Sequence, residues 1–250
     1  MSNYSFGIII PARYGSQRFS GKPLALIGGV PMIVQTYRSA QKSNPSFGPV
    51  VATDDERISA VCDEYDIPFV MTSTDCPSGT DRIQEAVEKL NWDTEIIVNI
   101  QGDEPFIQAE QINILIDQFK NAETEIATLK KPLSTNELLE NPNTVKIVTD
   151  VNNKALYFSR SVIPFNRSHH TNTYFRHLGM YAYKKDVLAE ITKLAPSQLE
   201  LVEMLEQLRW LENGYKISVG LTEFESPAVD TPADLEKAEK YYSKLSNSLG

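Results

Sequence analysis

Acidic side chains are absent from the first 53 residues of this 250-residue chain, and Asp54 is the first. The whole chain is nonetheless acidic, with 33 Asp and Glu against 24 Lys and Arg and a net charge of −9. That balance argues against nonspecific nucleic-acid binding, which needs a basic surface. Cysteine is scarce: Cys62 and Cys76 stand apart from any CxxC or His-paired spacing. They read as buried or idle thiols, and a cytoplasmic location follows as the default. No apolar run approaches the roughly 18 residues of a membrane span. The N-terminus enters strand-like sequence almost at once and lacks the layout of a signal peptide. Internal repeats and low-complexity linkers are missing too.

What the first 53 residues do hold is cations: Arg13, Arg18, Lys22, Arg38 and Lys42. A cationic region in an acidic protein suits a small anionic ligand. Arg38 and Lys42 fall on a helix face and read as solvated. The other three sit in "IIIPARYGSQRFSGKPL" (8–24), with Gly15 and Gly21, and the run resembles a phosphate-binding P-loop. That motif needs four residues between its glycine and its GK, then Ser or Thr. Here Ser16 to Ser20 intervene, and Pro23 follows Lys22. Proline has neither a hydroxyl for magnesium nor an N–H for phosphate. The Walker reading fails, but an anion site with an arginine fork and a lysine charge remains.

Strand and helix signals alternate along the first half. "FGIIIPA" (6–12), "PVVAT" (49–53), "PFVMT" (68–72) and "EIIVNIQ" (95–101) read as strands. Between them lie "PMIVQTYRSAQ" (31–41), with Pro31 suited to a first helical turn, and two runs of helical spacing, Ile58/Val61/Cys62/Tyr65 and Ile83/Ala86/Val87/Leu90. Ile112, Leu115, Ile116 and Phe119 continue the pattern. This rhythm indicates a doubly wound α/β sheet. After about residue 130 the rhythm changes to "TVKIVTD", "ALYFSR" and "RHLGMYAYKK", a strand-rich region. A helix is expected over 198–213 with Gly214 as its C-cap, then a strand at "KISVGL" (216–221). The last helix begins at "VDTPADLEKAEKYY", with Thr231 as N-cap and Asp234 three residues on.

A triphosphate brings a metal that the cationic loop cannot hold, so its ligands must come from elsewhere. Asp103 in "NIQGDEP" (99–105) is the first candidate, at the carboxyl end of the strongest strand, where ligands gather in open α/β sheets. Asp230 is the second, because Thr231 already suits the cap.

Taken together, "PARYGSQRFSGKPL", "ATDDERI", "SGTDRI", "NIQGDEP", "ALYFSR", "RHLGMYAY", "LEQLRWLENGYKI" and "VDTPADLEKAE" resemble the CMP-Kdo synthetases, the 3-deoxy-manno-octulosonate cytidylyltransferases, over about residues 7–240. The resemblance implies CMP transfer from CTP to an acidic eight-carbon sugar, with release of pyrophosphate, in lipopolysaccharide biosynthesis. It implies one nucleotidyltransferase domain over 1–250: a doubly wound mixed α/β sheet with a smaller strand-rich dimerisation region at about 130–185. It also implies Mg2+ and a homodimer, with no nucleic-acid or membrane partner.

Carried over by position, Arg13, Arg18 and Lys22 hold the triphosphate, and Ala12, Ser78, Gly79 and Arg82 frame the cytosine and ribose. "SGTDR" has an equal second reading, with Thr80 as the N-cap of the helix carrying Ile83. Gln101 and Asp103 lie between nucleotide and sugar, with Asp103 and Asp230 on the metal. Arg160, His177, Glu206 and Gln207 recognise the sugar acid. Apart from the resemblance, Arg160 reads as a surface charge, His177 as structural, and Gln207 as a solvated side chain on a helix whose apolar side is Leu201, Leu205, Leu208 and Leu211. His169 and His170 lie in a polar loop and are not expected to bind metal. The chain departs from the family at Phe19-Ser20, where Leu-Pro is usual, and a more flexible loop is expected there. Rival readings are a sialic-acid nucleotidyltransferase and a nucleotide-binding regulator without turnover. The regulator has no need of both Asp103 and Asp230.

Overall fold

The structure, a computed structural model, describes residues 4–15, 19–133, 136–168, 170–224 and 227–248. The chain divides into two compact units. One holds residues 5–112 and 225–250, the other 1–4 and 113–224.

In the first unit, β1 (Phe6–Ala12) is buried along its whole length, as a strand covered on both faces must be. A short hairpin, β2 (Leu26–Ile27) and β3 (Val30–Pro31), leads into α1 (Met32–Gln41). Then come β4 (Phe47–Thr53), α2 (Glu56–Glu64), β5 (Phe69–Met71), α3 (Gly79–Leu90) and β6 (Ile96–Asn99). The strands run parallel in the order β6-β1-β4-β5, with Ile9 beside Val50 and Ile8 beside Val98. The expected alternation is present, and Ile58, Cys62, Ile83, Ala86 and Val87 are the buried stripes of α2 and α3. Two details differ. Pro31 closes the hairpin and precedes the first helical residue. The α3 cap is Ser78, whose hydroxyl accepts from the Asp81 N–H, so Thr80 is buried inside the helix instead of capping it.

α4 (Ala109–Asp117) carries the expected Ile112, Leu115 and Ile116 stripe, all buried. The second unit continues with β7 (Ile126–Pro132), α5 (Asn136–Glu140), β8 (Lys146–Thr149), β9 (Ala155–Ser159), β10 (Phe175–Lys184), α6 (Lys185–Ile191), α7 (Gln198–Glu203), α8 (Gln207–Glu212) and β11 (Ile217–Leu221). β7 lies between parallel β11 and antiparallel β10, and β8 pairs antiparallel with β9 and β10. This unit is mixed where the first is parallel. β7 itself was missed by pattern, because "ATLKKP" ends in charge although Lys130 and Lys131 are buried. α9 (Pro232–Ser248) returns to the first unit.

The helix expected over 198–213 is two helices broken at Met204, which takes a left-handed φ of 53°. The cause is Arg160. Its guanidinium donates to the carbonyls of Glu203 (2.7 Å) and Met204 (3.3 Å), which captures the end of α7. Arg209 then ties α8 back to α7 by a two-pronged bond to Glu200, 2.6 Å on each prong. Gly214, at φ 88°, does follow α8 as the expected left-handed residue. The predicted apolar side also changes: Leu205, Leu208 and Trp210 are buried, whereas Leu201 is exposed.

Candidate functional site

Lys22 is placed by a rigid piece of backbone. Gly21 adopts a left-handed φ of 70° and opens a 3-10 turn over Lys22–Leu24, closed by Leu24 N–H to Gly21 O at 2.9 Å. The Gly21 N–H reaches back to Tyr14 O at 2.9 Å, so the two ends of the cationic loop are joined. The Tyr14 ring in turn lies beneath the Arg57 guanidinium, 3.3 Å from its centroid, and Arg57 is held by Asp55 of the α2 cap. Nothing in the spacing of the sequence marked this clamp.

Asp103 sits in the turn after β6. Gly102 approaches so closely that an added Cβ would lie 3.0 Å from Pro11 O. α1 fixes the same turn: the buried Thr36 hydroxyl donates to Gly102 O (3.1 Å) and Ser39 to Pro105 O (2.8 Å). Asp230 precedes α9. Its neighbours Thr231 and Asp234 form the expected reciprocal cap, Thr231 N–H to Asp234 at 3.1 Å and Asp234 N–H to Thr231 at 3.2 Å. The two segments are stitched by Val229 N–H to Asp103 O at 3.0 Å.

One small core joins all three supports. Ile27 and Met32 from the hairpin and α1, Phe106 from the Asp103 turn, and Val229 and Ala238 from the α9 segment are buried together. Phe19, Leu235, Tyr241 and Tyr242 pack around them. Phe19, the departure from the family pattern, is therefore an apolar anchor of the loop. The Gly28 N–H adds a bond to the Glu239 carboxylate (3.1 Å), fixing the hairpin to α9.

The result is a convergence of charge. Lys22 Nζ lies 2.5 Å from Asp103 Oδ2 and 3.2 Å from Asp230 Oδ1. Burial opposes the ammonium, but Asp103 and then Asp230 outweigh it and hold the Lys22 pKa above its ordinary value. Residues 81 and 208 positions apart thus meet at one nitrogen. Two carboxylates already gathered on a cation are a donor set of the kind a hard divalent ion takes, with phosphate oxygens and water completing its shell. Among the described residues no group of three or more His, Cys, Asp or Glu is placed to hold a metal by itself.

The other described nucleotide candidates belong to the same unit. Ala12 is buried at the end of β1, and Arg13 follows it, exposed. Ser78 and Gly79 form the start of α3, with the Ser78 hydroxyl 2.6 Å from Asp81. Arg82 is buried and donates to Asp54 (2.7 Å) and Thr72 (2.5 Å), so it joins α3 to the ends of β4 and β5. Gln101 donates to Asn99 at 3.1 Å. Arg18 lies outside the described residues, as does His169. Cys62 is a free buried thiol pushed up to about 12, and Cys76, beside Glu85, is pushed up to about 11; burial is the main cause for both.

In the second unit, His177 of β10 packs between the Phe158 and Tyr181 rings, and its Nε2 lies 2.9 Å from the Thr128 hydroxyl. Burial drives its pKa down to about 3, so the ring is neutral. Gln207 is buried instead of solvated, at 6% exposure, because it belongs to the inner face of α8 beside Leu208. Glu206 is partly buried at the start of that helix. Arg160 is not a loose surface charge. Besides the α7 carbonyls its guanidinium donates to Pro142 O (3.0 Å), and its N–H donates to the Glu203 carboxylate (2.9 Å). Lys146, fully buried, donates to the carbonyls of Asn141, Thr144 and Arg160. Neither Glu203 nor Lys146 carried any motif that singled it out.

Residues 7–217 match the Cytidylyltransferase family. Among curated proteins, the chain is 50% identical over 247 residues to a 3-deoxy-manno-octulosonate cytidylyltransferase of Bacteroides thetaiotaomicron, covering 95% of this chain and 98% of that one. It is 44% identical over 236 residues to an 8-amino-3,8-dideoxy-manno-octulosonate cytidylyltransferase of Shewanella baltica, covering 93% and 96%. A solved structure of CMP:2-keto-3-deoxy-manno-octonic acid synthetase complexed with CTP superposes with a TM-score of 0.91 at 39% identity, covering 96% of this chain and 99% of that one.

Proposed function

The chain belongs to the cytidylyltransferase family, among the 3-deoxy-manno-octulosonate cytidylyltransferases, and from that premise we propose the reaction it performs. It transfers CMP from CTP to the anomeric hydroxyl of 3-deoxy-manno-octulosonate or its 8-amino analogue, releasing pyrophosphate, in the supply of an activated sugar for lipopolysaccharide. The observation that carries this reading is the meeting of Lys22, Asp103 and Asp230, drawn from three distant segments, at one point.

Arg13, Arg18 and Lys22 bind the triphosphate and offset the charge that grows on its oxygens as the sugar hydroxyl attacks the α-phosphorus in line and pyrophosphate leaves. Asp103 and Asp230 would hold Mg2+, which would supply Lewis-acid stabilisation of the developing charge. Ala12, Ser78, Gly79 and Gln101 face the nucleoside, and Arg82 supports that wall through Asp54 and Thr72. Arg160, His177, Glu206 and Gln207 receive the sugar acid, with a neutral His177 acting as a hydrogen-bonding group and not as a cation. The protein works in the cytoplasm as a homodimer built on the strand-rich region at about residues 130–185. Support for the dimer comes from the exposure of Leu156 and Phe165 within residues 130–185, at 61% and 85%. A concentration-independent monomer by light scattering would exclude it.

The test is pyrophosphate release with CTP and the sugar, which should exceed that with ATP. Asp230→Asn should keep the parent melting temperature, and Asp230→Asn and Asp103→Asn should each lose most of the rate, with partial recovery as Mg2+ is raised. Asp230→Asn turning over like the parent at every Mg2+ concentration would remove Asp230 from the metal site.

A further inference from the structure

Lys22 has two claims on it that cannot both be met at once. As a triphosphate ligand its ammonium must lie on phosphate oxygens. Here it lies on the same two carboxylates that the proposed metal would use, at 2.5 and 3.2 Å. An ammonium at that point and a metal ion bound by both carboxylates occupy the same space, and they repel each other as like charges.

We propose that Lys22 is a resident counter-cation of the Asp103–Asp230 pair, and that it trades places with the divalent metal when a triphosphate arrives. The inference rests on the metal reading given above and extends it. In the nucleotide-free protein the lysine screens the two carboxylates from each other and competes with a metal ion for them. An incoming triphosphate offers the ammonium other oxygens and frees the carboxylates, so nucleotide and metal favour each other's binding.

The architecture allows this exchange without moving the loop. The Lys22 backbone is fixed by the Gly21 turn, by Ala25 N–H to Lys22 O at 3.0 Å and by Met32 N–H to Ala25 O at 2.8 Å. Four methylenes are flexible enough to redirect the ammonium from a fixed Cα. The carboxylates are fixed from the other side by the Val229–Asp103 bond and the Phe106 and Val229 contacts. The Lys22 side chain is 14% exposed and that of Asp230 43%, so the pair is reached from the Asp230 side while the ammonium lies deeper. A rigid pair of anions, a rigid Cα and a movable cation are the parts the exchange needs.

The experiment measures Mn2+ binding to nucleotide-free protein by electron paramagnetic resonance, in the parent and in Lys22→Met. Met keeps the apolar stem and removes the charge. The exchange requires Lys22→Met to bind Mn2+ about tenfold more tightly than the parent, since removing a neighbouring unit charge and its competing contact favours a cation by at least that factor. Adding α,β-methylene-CTP, which cannot transfer CMP, should tighten Mn2+ binding in the parent by a larger factor than in Lys22→Met. Lys22→Gln serves as a second neutral variant, and melting curves with and without Mn2+ show whether each variant is folded. Equal or weaker Mn2+ binding by the folded neutral variants would overturn the exchange and leave the metal reading intact. No Mn2+ binding by any of the proteins, with or without the nucleotide analogue, would overturn the metal reading and the exchange together.

Discussion

Replacing His177 by Gln should remove a defined part of the acid sensitivity of this fold. The His177 ring is enclosed by Phe158 (4.9 Å between centroids) and Tyr181 (5.4 Å). The Thr128 hydroxyl beside it also lies 2.9 Å from Met180 O and 3.2 Å from Leu178 O. A hydroxyl has one proton, and donating it to a carbonyl leaves Thr128 to accept from His177 Nε2–H. The buried ring is therefore neutral and protonated at Nε2. With its folded pKa near 3 and an unfolded value near 6.5, the unfolded chain binds more protons throughout that interval. Stability is then full above about pH 6.5 and falls as pH drops toward 3. The slope is about 1.4 kcal/mol per pH unit, so roughly 2 kcal/mol is lost between pH 6.5 and 5. The assay is urea unfolding of parent and His177→Gln at pH 7.5 and pH 5. Carboxylates titrate alike in both proteins and cancel in the comparison. The variant starts less stable at pH 7.5, because packing is lost, but its decline to pH 5 should be about 2 kcal/mol shallower. The same decline in both proteins would show that His177 is not held neutral by its surroundings.

Three further outcomes follow from the packing. Phe106→Ala deletes a ring that meets Tyr241 edge-on at 4.8 Å, and should cost about 3 kcal/mol and slow turnover because Asp103 loses its support; Phe106→Leu should keep most of both. Unchanged melting and rate for Phe106→Ala would mean the small core does not hold the site. Gly28→Ala places a methyl into the Tyr242 ring at a φ of +59°, so melting should fall by more than the roughly 1 kcal/mol of backbone strain alone, as read by thermal denaturation. Arg82→Met strands the largely buried Asp54 carboxylate and should cost about 3 kcal/mol in urea; a loss below about 1 kcal/mol would show that the pair is solvent-screened.

The parallel half of the fold was legible because buried strands and one-sided helices impose the periods that pattern reading detects, as "FGIIIPA" and the Ile83–Val87 stripe show. The break at Met204 was not, because helix spacing continues through "LVEMLEQLRW" unaltered. What ends α7 is Arg160, more than 40 residues upstream, and a tertiary contact of that kind leaves no local trace. Gln207 was misjudged for the same reason: once the helix divides, a different face turns inward. β7 was hidden by Lys130 and Lys131, whose long stems lie in the interior. Lys130 ends on Thr149 (2.7 Å) and Asn153 (3.0 Å), and Lys131 on Glu223 O (2.9 Å). Asp103 and Asp230 were singled out in the sequence by reasoning about what a cationic loop lacks. Their meeting on Lys22, and the Arg57–Tyr14 clamp, needed three dimensions.

The small core beneath Lys22 makes the last residues of the chain responsible for the geometry of the first. A ribosome delivers Lys22 first, Asp103 later and Asp230 last of the three. A nascent chain can complete its parallel sheet and still lack the carboxylate and the apolar contacts of Val229 and Ala238. The meeting of Lys22, Asp103 and Asp230 therefore waits until α9 has docked. The same dependence persists in the folded protein: a transient opening of α9 would part Asp230 from Lys22 while leaving the sheet intact.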